Sequence, residues 1–205
     1  MKSAVPYWLS FLVVLGAMYG SWHMWRMRPA AASGNERGLI EAGERRHDLD
    51  FKLTDQNGKE FDTTSLRGRV WVASFFFTSC PSICTRLNQT LAGLQDELAE
   101  TEVRFVSITV DPKNDTPEVL SKYAERFGID TGSWTFLTGP IEDIRKIGKE
   151  SFMLSVDQLT HSDRVVIVDR EGRYAAQFRV LEPGQLQLLK KTLSTLLAEE
   201  GGDKS

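Results

Sequence analysis

At 205 residues, with 41% hydrophobic and 26% charged side chains and a formal net charge of -3, the chain has room for one globular domain plus appendages. Acidic and basic residues are interspersed without a basic patch, which sets a nucleic-acid partner aside. Two cysteines are too few for a disulfide scaffold, so Cys80 and Cys84 are read as acting jointly.

The first element is apolar. Val5 to Trp25 carries no formal charge over 21 residues, and a bilayer core needs about 20 such residues in a helix. Tyr7 and Trp8 near one end and Trp22 and Trp25 near the other resemble the aromatic belts of a spanning helix. Residues 1–28 are therefore expected to form a membrane anchor. The competing reading is a signal peptide cleaved near Ala30-Ala31-Ala32, although Arg26 and Arg28 stand between the apolar run and that site. Either way the rest of the chain leaves the cytoplasm. Flanking charge alone does not fix the topology. Residues 29–46, rich in Ala, Gly and charge, read as a tether, 47–200 as the folded domain and 201–205 as a tail.

Within the domain, Asp50 to Thr54 alternates as a half-buried strand, Asp55 to Gly58 supplies a hairpin turn and Phe61 begins the return. Val70 to Phe77 is a nearly continuous apolar run, the pattern of a strand covered on both faces. A helix is predicted from about Pro81 to Glu100, with Ile83, Leu87, Leu91, Leu94 and Leu98 as its apolar stripe. Val103 to Val110 predicts a second central strand. Thr116 and Pro117 suit the cap and first position of a helix reaching about Phe127. Trp134 to Leu137 predicts a strand and Ile141 to Lys149 a helix. Val165 to Val168 and Tyr174 to Phe178 predict a hairpin, and a last helix begins at Pro183 or Gly184. The expected fold is an α/β sandwich with a central mixed sheet, of thioredoxin-like arrangement, because Cys80 falls between a buried strand and a helix.

That placement has chemical consequences. A helix N-terminus favours thiolate over thiol, and Cys80 is expected near the cap. Cys84 lies four residues on, about 6 Å away along a helix, so the pair can close as a disulfide or grip a soft metal. Two sulfurs leave room for another ligand, and the chain has only three histidines. His23 falls in the apolar run and His47 near the tether. His161 precedes the strand at Val165, where thioredoxin-like folds bring a loop beside the cysteine loop. Two thiolates and an imidazole form a set suited to copper.

The stretch Phe76-Phe77-Thr78-Ser79-Cys80-Pro81-Ser82-Ile83-Cys84 resembles the copper-binding segment of the Sco/SenC family. Val110-Asp111-Pro112 with Asp115-Thr116-Pro117-Glu118-Val119-Leu120 and Tyr123 is similar to its next block. His161-Ser162 before Val165-Val166-Ile167-Val168-Asp169 with Gly172 resembles the third. The resemblance spans about residues 47 to 196. It implies an anchored domain facing the periplasm or an equivalent space. Such a domain binds one Cu(I) or Cu(II) ion through Cys80, Cys84 and His161. It implies delivery to the dinuclear copper centre in subunit II of cytochrome c oxidase. Ser82 and Thr85 stand where family members often carry an acidic residue and a second proline, and Thr160 where an acidic residue often precedes the histidine.

The rival expectation is a thiol-disulfide oxidoreductase, with Cys80 as nucleophile and Cys84 as resolving thiol, that keeps oxidase cysteines reduced. The two readings separate at His161, which dithiol chemistry does not require. Asp111 and Pro112 are read as structural support, and Phe75 to Phe77 as core.

Overall fold

A computed structural model describes residues 48–157 and 162–199. The expected anchor, tether and tail lie outside the described residues, as do His23, His47, Thr160 and His161. Among the described residues no helix is long and apolar enough to cross a membrane.

Seven strands form one sheet: β1 (Lys52–Asp55), β2 (Glu60–Asp62), β3 (Trp71–Phe76), β4 (Arg104–Thr109), β5 (Trp134–Thr138), β6 (Arg164–Val168) and β7 (Tyr174–Arg179). Their order is β2-β1-β5-β4-β3-β6-β7. The central β3, β4 and β5 run parallel; every other pairing is antiparallel. The sheet is mixed, as expected. The helices are α1 (Ile83–Glu97), α2 (Pro117–Arg126), α3 (Ile141–Glu150) and α4 (Gln185–Ala198).

The predicted β1–β2 hairpin forms because Asp55 builds its turn. Its Oδ1 accepts the N–H groups of Asn57 and Lys59, each at 2.8 Å, and Gly58 takes the left-handed φ of 75° that the turn needs. All six residues of β3 are buried, which explains their unbroken apolar run. Phe75 and Phe76 point to opposite faces. Phe76 meets Tyr123 of α2 at 5.3 Å between ring centroids, and Phe75 meets Phe152, just past α3, at the same separation. The sheet is thus covered on both sides. On the Phe76 face, Ser74, Ser107 and the Trp134 indole form a buried hydrogen-bonded row of 2.8 and 2.9 Å. α1 lies beside α2, joined by the Asn88 amide donating to the Tyr123 hydroxyl at 2.8 Å.

Two differences from the predicted elements have local causes. A 3-10 helix, Thr63–Leu66, occupies a stretch too short to show periodicity; the Asp62 carboxylate caps it by accepting the Thr64 N–H at 2.9 Å. α1 is shorter than the predicted 81–100 at both ends. Ser82, at φ -135° and ψ -80°, is its non-helical cap, so Pro81 stays outside, and Leu98 closes it. α2 begins as expected, with Thr116 Oγ1 accepting the Val119 N–H.

Candidate metal centre

β3 delivers the chain to its C-terminal end at Phe76, and Phe77-Thr78-Ser79-Cys80 turns it toward α1. The turn is tied locally by the Cys80 N–H donating to the Phe77 carbonyl at 3.3 Å. Cys84 is the second residue of α1, so its N–H has no partner within the helix. Cys80 Sγ accepts it at 3.3 Å. The expectation that Cys80 caps the helix is corrected in position, since the cap is Ser82. The Ser82 side chain makes no capping bond, and the Cys80 sulfur does that work for one orphan donor. Thr85 Oγ1 closes the same turn on the Cys80 carbonyl at 3.2 Å.

Both cysteines are free thiols, and both are buried, Cys84 completely. A helix N-terminus favours thiolate, yet burial outweighs it at Cys84. Desolvation, reinforced by the hydrogen bond with Cys80, pushes its thiol up to about 12. The Tyr123 hydroxyl shares this pocket of low polarity. Burial also pushes it up to about 12, with the bond from Asn88 opposing the shift and the two cysteines adding to it. The arrangement is therefore two adjacent buried sulfurs, of which Cys84 holds its proton tightly; a metal binding the pair must displace that proton.

The described part of the third block lies at the same end of the sheet. β6 runs antiparallel to β3, with Val165 opposite Ser74. The chain therefore enters β6 where it leaves β3 for Cys80. Asp157 and Asp163, which flank the histidine segment, are both engaged by arginines. Arg145 Nη2 donates to Asp157 at 2.7 Å and Arg179 Nε to Asp163 at 3.1 Å. Among the described residues no group of three or more His, Cys, Asp or Glu side chains gathers as a metal cluster.

Asp115 figures in the sequence analysis only within the second family-like block, with no role of its own. Its carboxylate is completely buried. Its Oδ2 accepts the Thr78 N–H at 3.0 Å, and the hydroxyls of Thr78 and Thr109 also donate to it. The available signal was its distance from any helical or strand stripe combined with charge, which marks a buried carboxylate only once the fold is known. Asp111 behaves as expected of a turn residue: its N–H donates to Thr109 Oγ1 at 3.0 Å and its carboxylate accepts from Asn114 at 2.8 Å.

A βα junction on a central mixed sheet, with a paired CxxxC closing the first turn of the helix, defines a thioredoxin-like protein. Comparison with known proteins narrows the class: the SCO1/SenC family model matches residues 41–196, and the chain belongs to that family. The SCO1 protein homolog of Bacillus subtilis (strain 168) is 34% identical over 141 residues, covering 64% of this chain and 73% of the relative. A "Putative copper-binding protein" of Stutzerimonas stutzeri is 30% identical over 161 residues, covering 73% of this chain and 76% of the relative. Among solved structures, BsSco superposes with a TM-score of 0.65 at 28% identity, covering 78% of this chain and 99% of that one. That work concerns a disulfide switch and describes BsSco as a member of the Sco family of cytochrome c oxidase assembly proteins.

Proposed function

We propose that the protein is a copper carrier that takes part in cytochrome c oxidase assembly, holding one copper ion between Cys80 and Cys84 with His161 as the third ligand. The observation that carries this reading is the bond from the Cys84 N–H to Cys80 Sγ, which sets two soft donors side by side at the end of the sheet. The donor set suits the cargo: thiolates select Cu(I), and an imidazole accommodates either oxidation state. His161 stands three residues before Arg164, the first residue of β6, and a chain spans at most about 3.5 Å per residue. The register of β6 on β3 supports a histidine at the cysteine end. The recipient is the dinuclear copper centre of subunit II, by extension from the oxidase-assembly role of BsSco. Residues 1–28 anchor the chain in a membrane, residues 29–46 tether it, and the domain faces the extracytoplasmic side. Resistance of the full chain to extraction by alkaline carbonate tests the anchor; release into the wash would remove it.

The test of the copper reading is an anaerobic Cu(I) titration of the reduced full chain against a competing chelator. One ion per chain is expected, with affinity lowered at least about tenfold in His161→Ala. Unchanged affinity in that variant would remove His161 from the ligand set. The oxidoreductase reading draws on the same sulfur contact, which also places the pair to form a disulfide. It predicts that His161→Ala keeps disulfide-reducing activity while Cys80→Ser abolishes it.

A further inference from the structure

We infer that Asp115 is a positioning residue that sets how readily Cys80 and Cys84 join, whether through a metal or as a disulfide. The inference rests on the reading that this cysteine pair is the working site. A completely buried carboxylate is costly unless its oxygens are well supplied with donors. Here the donors come from two places with different consequences. Thr109 ends β4 and holds the carboxylate to the rigid sheet. Thr78 supplies the other two, its N–H and its hydroxyl, and it lies two residues before Cys80. Asp115 itself is fixed by its own N–H, which donates to the Asp111 carbonyl at 2.9 Å. The carboxylate therefore clamps the turn that carries Cys80 to the end of the neighbouring strand.

The bonds from Cys80 N–H to Phe77 and from Cys84 N–H to Cys80 Sγ are local to the turn. The clamp adds a hydrogen-bonded tie from the turn to the sheet. A held turn keeps the Cys80 sulfur at a high effective concentration beside Cys84. The entropy of bringing the two together is then already spent before either a disulfide or a metal bridge forms. Loss of the clamp lowers the equilibrium constant for joining the sulfurs without touching either one.

The experiment equilibrates the full chain with glutathione and glutathione disulfide, and reads the trapped thiols by alkylation and mass. In this exchange the two cysteines lose two electrons and two protons and form the S–S bond. One glutathione disulfide is cleaved and leaves as two glutathione thiols. Asp115→Ala is expected to lower the equilibrium constant for disulfide formation about tenfold, a rise of about 30 mV in reduction potential. Asp115→Asn is expected to recover most of that loss. Its amide oxygen keeps the bonds from the Thr78 N–H and the Thr109 hydroxyl, while its amide nitrogen donates to the Thr78 hydroxyl, which can accept as well as donate. Thr109→Val removes the clamp's anchor on the sheet and is expected to shift the equilibrium constant in the same direction as Asp115→Ala. Thr63→Val, which loses a buried hydrogen bond to the Leu49 carbonyl away from the cysteine turn, lowers the denaturant midpoint but is expected to change the equilibrium constant less than about twofold. If Asp115→Ala does not fold, Thr78→Val carries the test, with a shift of about threefold in the same direction. Asp115→Ala or Thr78→Val indistinguishable from Thr63→Val in the redox measurement would reduce Asp115 to a structural strut and overturn the inference. Because no copper enters this measurement, failure of the copper reading shows up separately in the Cu(I) titration.

Discussion

At the scale of single residues, Cys84 couples the site to pH. Its thiol, held up to about 12 by burial, is protonated at neutral pH, and a metal must displace that proton to bind. The apparent Cu(I) affinity should therefore rise about tenfold per pH unit from the Cys84 proton alone, measured by chelator competition between about pH 6 and 8. Stability has the opposite slope. An unfolded cysteine titrates near about 8.5, so the folded state retains a proton that the unfolded state has lost as pH climbs from there toward 12. The contribution is complete below about pH 8.5 and is lost as pH rises through that window. A denaturant midpoint that falls less steeply above pH 9 in Cys84→Ala than in the unaltered chain is the expected signature; parallel curves would remove Cys84 as a source. The sequence shows where the pair sits and that a helix begins beside it. It does not show that the Cys80 sulfur replaces a capping oxygen, nor that Asp115 closes on Thr78 across 37 positions. Both depend on contacts between segments, which neither spacing nor periodicity records.

At the scale of elements, periodicity located every strand and helix that spans more than one turn, and errors fell at their ends. α1 begins two residues later than predicted because the chain must complete the cysteine turn before helical dihedrals start, and Ser82 marks that change. The exit from α3 was invisible in the sequence and is tightly built. Phe152 follows the helix, is completely buried, and meets Phe51, Trp71 and Phe75 edge-on at 5.9, 6.4 and 5.3 Å. Met153 takes a left-handed φ of 53°, which returns the chain so that the Leu154 N–H donates to the Gly148 carbonyl at 2.8 Å. This return lays Val156 on Gly148, where an added Cβ would come within 2.4 Å of the valine Cγ2. A glycine in a helix interior ordinarily gains about 1 kcal/mol on replacement by alanine. Here overpacking, at about 1–3 kcal/mol, exceeds that gain. Gly148→Ala should lower unfolding free energy by up to about 2 kcal/mol in denaturant titration, the difference between the two effects, and a stabilised variant would show that the return segment yields easily.

At the scale of the whole molecule, the mixed sheet was legible because alternating strands and helices followed by a hairpin leave few ways to cover both faces. The segment before β1 was not, because it belongs to no periodic element. The chain there crosses to the β6–β7 turn. Asp48 bridges to Arg173, and the Leu49 N–H donates to the Gly172 carbonyl at 2.8 Å. The Leu49 carbonyl accepts from Thr63 Oγ1 at 2.8 Å, and its side chain is only 1% exposed. Both oxygens of Asp50 receive Arg67 Nη2 at 2.8 Å, and the same guanidinium reaches the Glu171 carbonyl. One short stretch thus ties the 3-10 helix, the β6–β7 turn and the sheet together. A chain beginning at residue 47, the boundary expected from the sequence, keeps every one of these ties. It should unfold at the same denaturant midpoint as the full chain and bind Cu(I) with the same affinity. A chain beginning at residue 52 loses the burial of Leu49, about 2 kcal/mol, and two buried hydrogen bonds at about 1 kcal/mol each. Its unfolding free energy should fall by about 3–4 kcal/mol, a large share of a domain's total. Equal stability of the two truncated chains would place the boundary later, at β1 itself. A loss already present in the chain beginning at residue 47 would place it earlier.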